Sequence, residues 1–218
     1  MKLEIDNIEL NFDGRKILWG VYLKAEKGKI TSILGRNGSG KTSLFKIIFG
    51  NLNPKYATIR INSKYAKRPL YKNRNITFLP QHSMLPKNIR LKQAFLCFGV
   101  EWESFTSIFK SFRTYEANKI SSLSTGEVRI VETYLVLKRA SDIVLLDEPF
   151  SLIAPVYIEK IKQLINEEKE KKILLITDHY YKEILEISDN LYLLKDGISK
   201  IVRDKNTLLQ EGYLPSSQ

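Results

Sequence analysis

GRNGSGKT, residues 35–42, lies between an apolar run and an amphipathic one, and its spacing suits a single chemical task. Gly35, four residues, then Gly40-Lys41-Thr42 is the phosphate-binding loop pattern. Glycines at 35, 38 and 40 allow the backbone to curl so that successive N–H groups face an anion. Lys41 can reach the outer phosphates, and the Thr42 hydroxyl can ligate Mg²⁺. Upstream, KITSIL (29–34) reads as a buried strand; downstream, SLFKIIF (43–49) reads as the first turns of a helix. Strand, glycine loop and helix place phosphates at a positive helix N-terminus. Residues Gly35, Arg36, Asn37, Gly38, Ser39, Gly40, Lys41, Thr42 and Ser43 are therefore expected to line the triphosphate of a bound nucleotide.

A second run, IVLLDEP (143–149), is an apolar strand ending in two carboxylates. Asp147 at the strand tip can hold the Mg²⁺ shell from the side opposite Thr42. Glu148 can then accept a proton from water attacking the γ-phosphate, a role that contributes about 10²–10⁴ in rate.

With these motifs the chain resembles the nucleotide-binding subunit of an ABC transporter over nearly its whole length. Gln81, in TFLPQ, matches the family glutamine that senses Mg²⁺ and γ-phosphate and opens the segment meeting the membrane partner. LSTGE (123–127) occupies the place of the signature, usually Leu-Ser-Gly-Gly-Gln, so the resemblance assigns Ser124 and Gly126 to the γ-phosphate of a partner cassette. His179, in LLITDHYY, matches the switch histidine, and Phe12, in NFDGRKIL, the aromatic that stacks on adenine. The residues alone leave duller roles open: Gln81 as a loop residue after Pro80, Phe12 as core or rim. His179 could cap the following helix, although Asp178 is the better cap candidate.

The resemblance implies an α/β fold of ABC ATPase type. It would have a P-loop NTPase core with a RecA-like parallel sheet, a peripheral antiparallel β region, and a helical lobe. Residues 1–87 and 141–218 would form the core and β region, and 88–140 the lobe, within one domain spanning 1–218. It also implies a Mg²⁺-dependent ATPase with ATP and Mg²⁺ as cofactors. Its partners would be a second cassette, as homodimer or heterodimer, and a separate transmembrane permease subunit. In wording, LLDEPFSLIAP and ITDHYYKEIL look most like the cassettes of lipopolysaccharide export and branched-chain amino-acid uptake. Two departures stand out. Thr125 replaces the first signature glycine, and Ala154 stands where the family usually carries an aspartate bridging the subunits.

Composition bounds the rest. A chain of 218 residues can bury a sizeable core. The single cysteine, Cys97, lies in the apolar run AFLCF, which reads as buried core in a reducing compartment. No uncharged apolar stretch approaches the ~20 residues needed to span a bilayer. MKLEIDNIEL alternates like a strand and lacks the core of a signal peptide. A cytoplasmic protein, peripheral on the inner face of the cell membrane, is the expectation. From Lys27 to Val100 there is no Asp or Glu but 15 Lys and Arg, so against a total of +11 the remainder carries −4. Much of that bias, from Lys55 through Lys64, Lys67, Arg68, Lys72 and Arg74, falls in the expected β region. They suit either a solvated face or an anionic surface of lipid or nucleic acid. A soluble ABC-type ATPase acting on ribosomes or nucleic acid is thus the alternative, weighed against because translation-factor members carry two cassettes per chain. A non-hydrolysing scaffold is the third reading, opposed by the presence of Asp147, Glu148 and His179.

Further along, LKQAFLCF and WESFTSIFKSF read as helices, as does the run after the signature. IVLLD, VYIEKIKQLINEEKEK, ILLIT and YKEILEIS then alternate strand and helix. NLYLLKDGISKIV forms a hairpin at Asp196-Gly197, and GYLPSSQ frays. After Gln81, Met84, Leu85, Ile89 and Leu91, fringed by Lys87, Arg90 and Lys92, suit a groove receiving a helix of the membrane subunit.

Overall fold

The computed structural model describes residues 1–73 and 75–214; Arg74 of the basic run and the last four residues of GYLPSSQ lie outside the described residues. The chain is a three-part α/β fold of P-loop NTPase type, built on two sheets. Strands β1 (Lys2–Phe12), β2 (Arg15–Glu26), β4 (Tyr56–Ile61) and β5 (Lys64–Tyr65) form an antiparallel sheet in the order β2-β1-β4-β5. Strands β3 (Ile30–Leu34), β6 (Ile76–Leu79), β7 (Ile143–Asp147), β8 (Ile173–Thr177), β9 (Asn190–Lys195) and β10 (Ile198–Val202) form the second, ordered β10-β9-β3-β8-β7-β6. It is parallel except for β10, which returns through Asp196-Gly197. Both turn residues have left-handed backbone, as a two-residue hairpin of matching twist requires.

Burial explains the parallel sheet. Every residue of β3, β7 and β8 is buried, the signature of strands covered on both faces. Successive side chains divide between two cores. Ile143, Leu145, Ile173 and Leu175 join the core shared with the antiparallel sheet and helix α1 (Lys41–Phe49). Val144, Leu146, Leu174 and Ile176 join the core under α4 (Thr125–Lys138), α5 (Pro155–Lys169) and α6 (Tyr181–Ile187).

Helices α2 (Leu91–Phe98) and α3 (Trp102–Ile108) sit on the second core. Helix α2 buries Leu91, Ala94 and Phe95, a stripe at i, i+3, i+4, and ends at the left-handed Gly99. Phe95, Phe105, Phe109, Phe112 and Tyr134 interlock, with neighbouring ring centroids 5.0–6.4 Å apart. A short helix α7 (Lys205–Gln210), capped by Asp204, closes the described chain. No helix among the described residues is long and apolar enough to cross a membrane.

Two readings are corrected here. Cys97 is exposed, not buried: the helical period that buries Ala94 and Phe95 turns Leu96 and Cys97 outward. The apolar residues after Gln81 serve the protein's own core. Leu85 and Leu91 are buried, and Met84 and Ile89 pack half-buried against the same cluster. The outward surface of this segment is Leu96, Lys87, Arg90 and Lys92, the last paired with Glu116 at 2.9 Å.

Candidate nucleotide site

Residues 35–40 link β3 to α1, and each glycine is needed for its own reason. Gly38 (φ +81°) and Gly40 (φ +101°) have backbone that L side chains rarely adopt. Gly35 has ordinary dihedrals, but a Cβ there would lie 2.5 Å from Ser39 Oγ and 2.7 Å from the Leu194 carbonyl. Gly40 then caps α1, leaving first-turn N–H groups free for an anion. The Lys41 ammonium folds back over the loop and donates to the carbonyls of Gly35 at 2.7 Å and Arg36 at 3.3 Å. Burial lowers its pKa, against the pull of the Glu148 and Asp147 carboxylates.

One cleft of about 660 Å³, within the usual size of small-ligand sites, is lined by Phe12, Asn37, Gly38, Gly40, Lys41, Thr42, Ser43, Lys46, Gln81 and Glu148. Phe12 stands 62% exposed on its rim, with Ile17 and Leu10 beside it. Arg36 and Ser39 face elsewhere. They line a second cleft across the loop, where the Arg36 guanidinium donates to the Gly212 carbonyl at 2.7 Å.

Asp147, the residue before the cleft-lining Glu148, is 1% exposed. Its Oδ1 accepts from the Thr177 hydroxyl at 2.5 Å, while Oδ2 is buried without a partner. Burial pushes this carboxyl above its ordinary pKa, opposed by the hydroxyls of Thr177 and Thr42 and by Lys41. A buried carboxylate oxygen lacking a donor, beside a threonine hydroxyl, is the donor set of a hard divalent cation, so Mg²⁺ fits. Glu148 follows in left-handed backbone (φ +57°), which aims its carboxylate into the cleft mouth. Its Oε2 accepts from Gln81 Nε2 at 3.1 Å and Ser151 Oγ at 3.2 Å, and lies 3.5 Å from His179 Nδ1. Asp178 does not cap the following helix, whose N-cap is Tyr180 without a side-chain bond; it accepts from the backbone N–H groups of Phe150 and Tyr180 and so fixes the turn that carries His179.

Residues 18–151 match the sequence profile of a family described as "ABC transporter". The chain belongs to the ABC transporter family. This cassette is 29% identical to an arabinose import ATP-binding protein of Mannheimia succiniciproducens, over 93% of this chain and 45% of that protein. It is 26% identical to a lipopolysaccharide export ATP-binding protein of Haemophilus influenzae, over 92% and 88% respectively. The chain spans less than half the length of the sugar-import relatives it matches. In fold it resembles a structure described as an ATP-binding subunit of an ABC transporter, with TM-score 0.80 at 21% identity, covering 100% of this chain and 96% of that one. An ATP-bound bacterial Atm1-family ABC exporter matches with TM-score 0.84 at 18% identity, over 97% of this chain and 40% of the exporter.

Ser124 and Gly126 lie apart from this cleft, whose lining includes neither. Ser124 caps α4 in a reciprocal box. Its Oγ accepts from the Glu127 N–H at 3.3 Å, and Glu127 Oε2 accepts from the Ser124 N–H at 2.8 Å. Gly126 is held by packing, since a Cβ there would come 2.4 Å from the Leu152 carbonyl. Two side chains of this helix were not singled out from the sequence. Arg129 (5% exposed) and Glu132 (1% exposed) reach from α4 to the backbone around Gln81 and Glu148. The available signal was a pair of opposite charges at i, i+3 inside VRIVETYLVL, where a solvated helix face would show more polar neighbours.

Proposed function

We propose that this chain binds and hydrolyses ATP as the power subunit of an ABC transporter, in pairs, against a separate membrane subunit. The observation that carries the reading is the convergence at one cleft: Asp147 with an unpartnered buried oxygen, Glu148 ringed by Gln81, Ser151 and His179, and Lys41 and Thr42 at the helix start. In this reading Gly38 to Ser43 hold the phosphates through backbone N–H groups and the Lys41 charge, with Gly35 packing the loop, and Phe12 carries the adenine. Arg36, Asn37 and Ser39 belong to the same loop, with Arg36 and Ser39 shaping it from behind. Mg²⁺ held by Thr42, Gln81 and Asp147 would neutralise charge on the phosphates. Glu148 takes the proton of the attacking water, Gln81 and Ser151 fix the direction of its carboxylate, and His179 stands ready to donate to the γ-phosphate.

The separation of Ser124 from Lys41 within one chain supports pairing, with each γ-phosphate enclosed by Lys41 of one copy and Ser124 and Gly126 of the other. We take residues 88–140 as a helical lobe, docked to the membrane subunit through its Leu96 and Arg90 and the adjoining Lys87, on the inner, cytoplasmic face of the membrane. Nucleic acid is not part of this reading, because several cations of the basic region have local work. Arg68 donates to the carbonyls of Ile47 and Leu52, and Lys55 pairs with Glu9 and lies over Tyr56.

Pairing makes activity concentration-dependent. ATP turnover per cassette should rise with protein concentration, and Glu148→Gln with saturating Mg-ATP should sediment as a dimer. A variant that stays monomeric at high concentration with saturating Mg-ATP, together with turnover independent of concentration, would overturn the paired reading.

A further inference from the structure

Glu148 occupies backbone that a non-glycine residue enters only when something holds it there. Backbone bonds hold part of it, the Glu148 N–H donating to the Thr177 carbonyl at 2.7 Å and the Ser151 N–H to the Glu148 carbonyl at 3.2 Å, and the side chain that joins them is Arg129. Its Nε and Nη2 donate to the Glu148 carbonyl at 3.3 and 2.9 Å, Nη2 also donates to the Asp147 carbonyl, and Nη1 donates to the Pro80 carbonyl at 2.6 Å. One planar group thus clasps the backbone of both site carboxylates and the residue before Gln81. Only a guanidinium has enough donors in a fixed fork to do this. One helical turn on, Glu132 Oε1 accepts from Ser83 Oγ at 2.7 Å and from the N–H groups of Met84 at 2.7 Å and Leu85 at 3.0 Å. Both side chains are almost completely buried and stand 4.0 Å apart.

We propose that Arg129 is the positioning residue for Glu148 and Gln81, so that the placement of α4 sets the aim of the base. The proposal rests on the reading of Glu148 as base given above. Arg129 is absent from the lining of the nucleotide cleft, so its effect falls on turnover rather than on ATP affinity. A displacement of α4 is carried through the guanidinium to the Glu148 carbonyl and, through Pro80, to Gln81. The segment that meets the partner cassette at Ser124 is therefore the same rigid helix that aims the base.

The test compares Arg129→Met, Arg129→Lys and Glu148→Gln by single-turnover ATP hydrolysis, Mg-ATP affinity and melting temperature. Arg129→Met should lower turnover about 100-fold, the scale of a misplacement near 1 Å, with affinity held within about twofold. Arg129→Lys keeps a cation but loses the fork, so it should fall by about tenfold, and it carries the test if the Met variant does not fold. Adding Arg129→Met to Glu148→Gln should cost much less than it does in the native background, because one of the two groups it aims is already gone and only Gln81 remains to be misplaced. A slow Glu148→Gln beside native turnover in the Arg129 variants would overturn this proposal alone. Additive loss in the double variant, or affinity falling in step with turnover, would reduce Arg129 to a structural residue. Native turnover in Glu148→Gln itself would remove the base assignment and this proposal with it.

Discussion

Replacing Gly126 by alanine puts a methyl group into the most crowded joint of the site. The added Cβ would lie 2.4 Å from the Leu152 carbonyl, and relief to an ordinary 3.4 Å contact requires a shift of about 1 Å. Leu152 sits in left-handed backbone (φ +64°), and the residue before it, Ser151, donates to Glu148 Oε2. The displaced loop therefore carries away one of the groups that fix the Glu148 carboxylate, the proposed base. In stability, overpacking costs about 1–3 kcal/mol, while alanine in place of a helical glycine returns about 0.5–1 kcal/mol. A net loss near 1 kcal/mol corresponds to a fall in melting temperature of about 2–4 °C for a chain of this size. Turnover should fall much further, by about 100-fold, because the shift acts on the reacting geometry. ATP affinity of the unpaired chain should stay near native, since Gly126 is not in the lining of its own cleft. Thermal unfolding with single-turnover hydrolysis checks both. A stabilised Gly126→Ala protein with native turnover would refute the link from signature helix to base.

Asp147→Asn should trade function for stability. Burial raises the Asp147 pKa, so the charged form is disfavoured in the folded state and its contribution to stability declines as pH rises through the folded value. Asparagine keeps the oxygen that accepts from Thr177 and removes the charge, so the nucleotide-free protein should melt higher at neutral pH. That gain should vanish below about pH 3.9, where even the unfolded carboxyl is protonated. Melting curves across pH decide it, and Mg-ATP should no longer stabilise the variant. Lys87→Glu with Arg90→Glu addresses the membrane reading. Each cation near an anionic leaflet contributes about 1 kcal/mol, so membrane co-sedimentation should weaken at least about thirtyfold while solution turnover is unchanged. Unaltered membrane binding would exclude these two cations from the docking surface.

The sequence reveals what depends on local pattern. The apolar runs at 143–146 and 173–176 are strands because both faces are covered, and LKQAFLCF is a helix with bounds Leu91–Phe98. Lys41, Thr42, Gln81 and Glu148 line one cleft, with His179 3.5 Å from Glu148, because β3, β6, β7 and β8 run parallel in one sheet and the segments that follow them gather at the same edge. What escapes is long-range and directional. Arg36 points to the Gly212 carbonyl, 176 residues away, and Arg129 points to three backbone carbonyls, a partner type that has no side-chain pattern to read. The same limit explains Cys97 and the residues after Gln81: apolar composition says that a segment packs, not which face it packs with.

The most direct test of the account is single-turnover hydrolysis by Glu148→Gln beside a titration of Mg-ATP binding. The account predicts affinity close to native, because Lys41, Thr42 and Phe12 are untouched, with hydrolysis slowed about 10²–10⁴-fold. Hydrolysis at the native rate would contradict it.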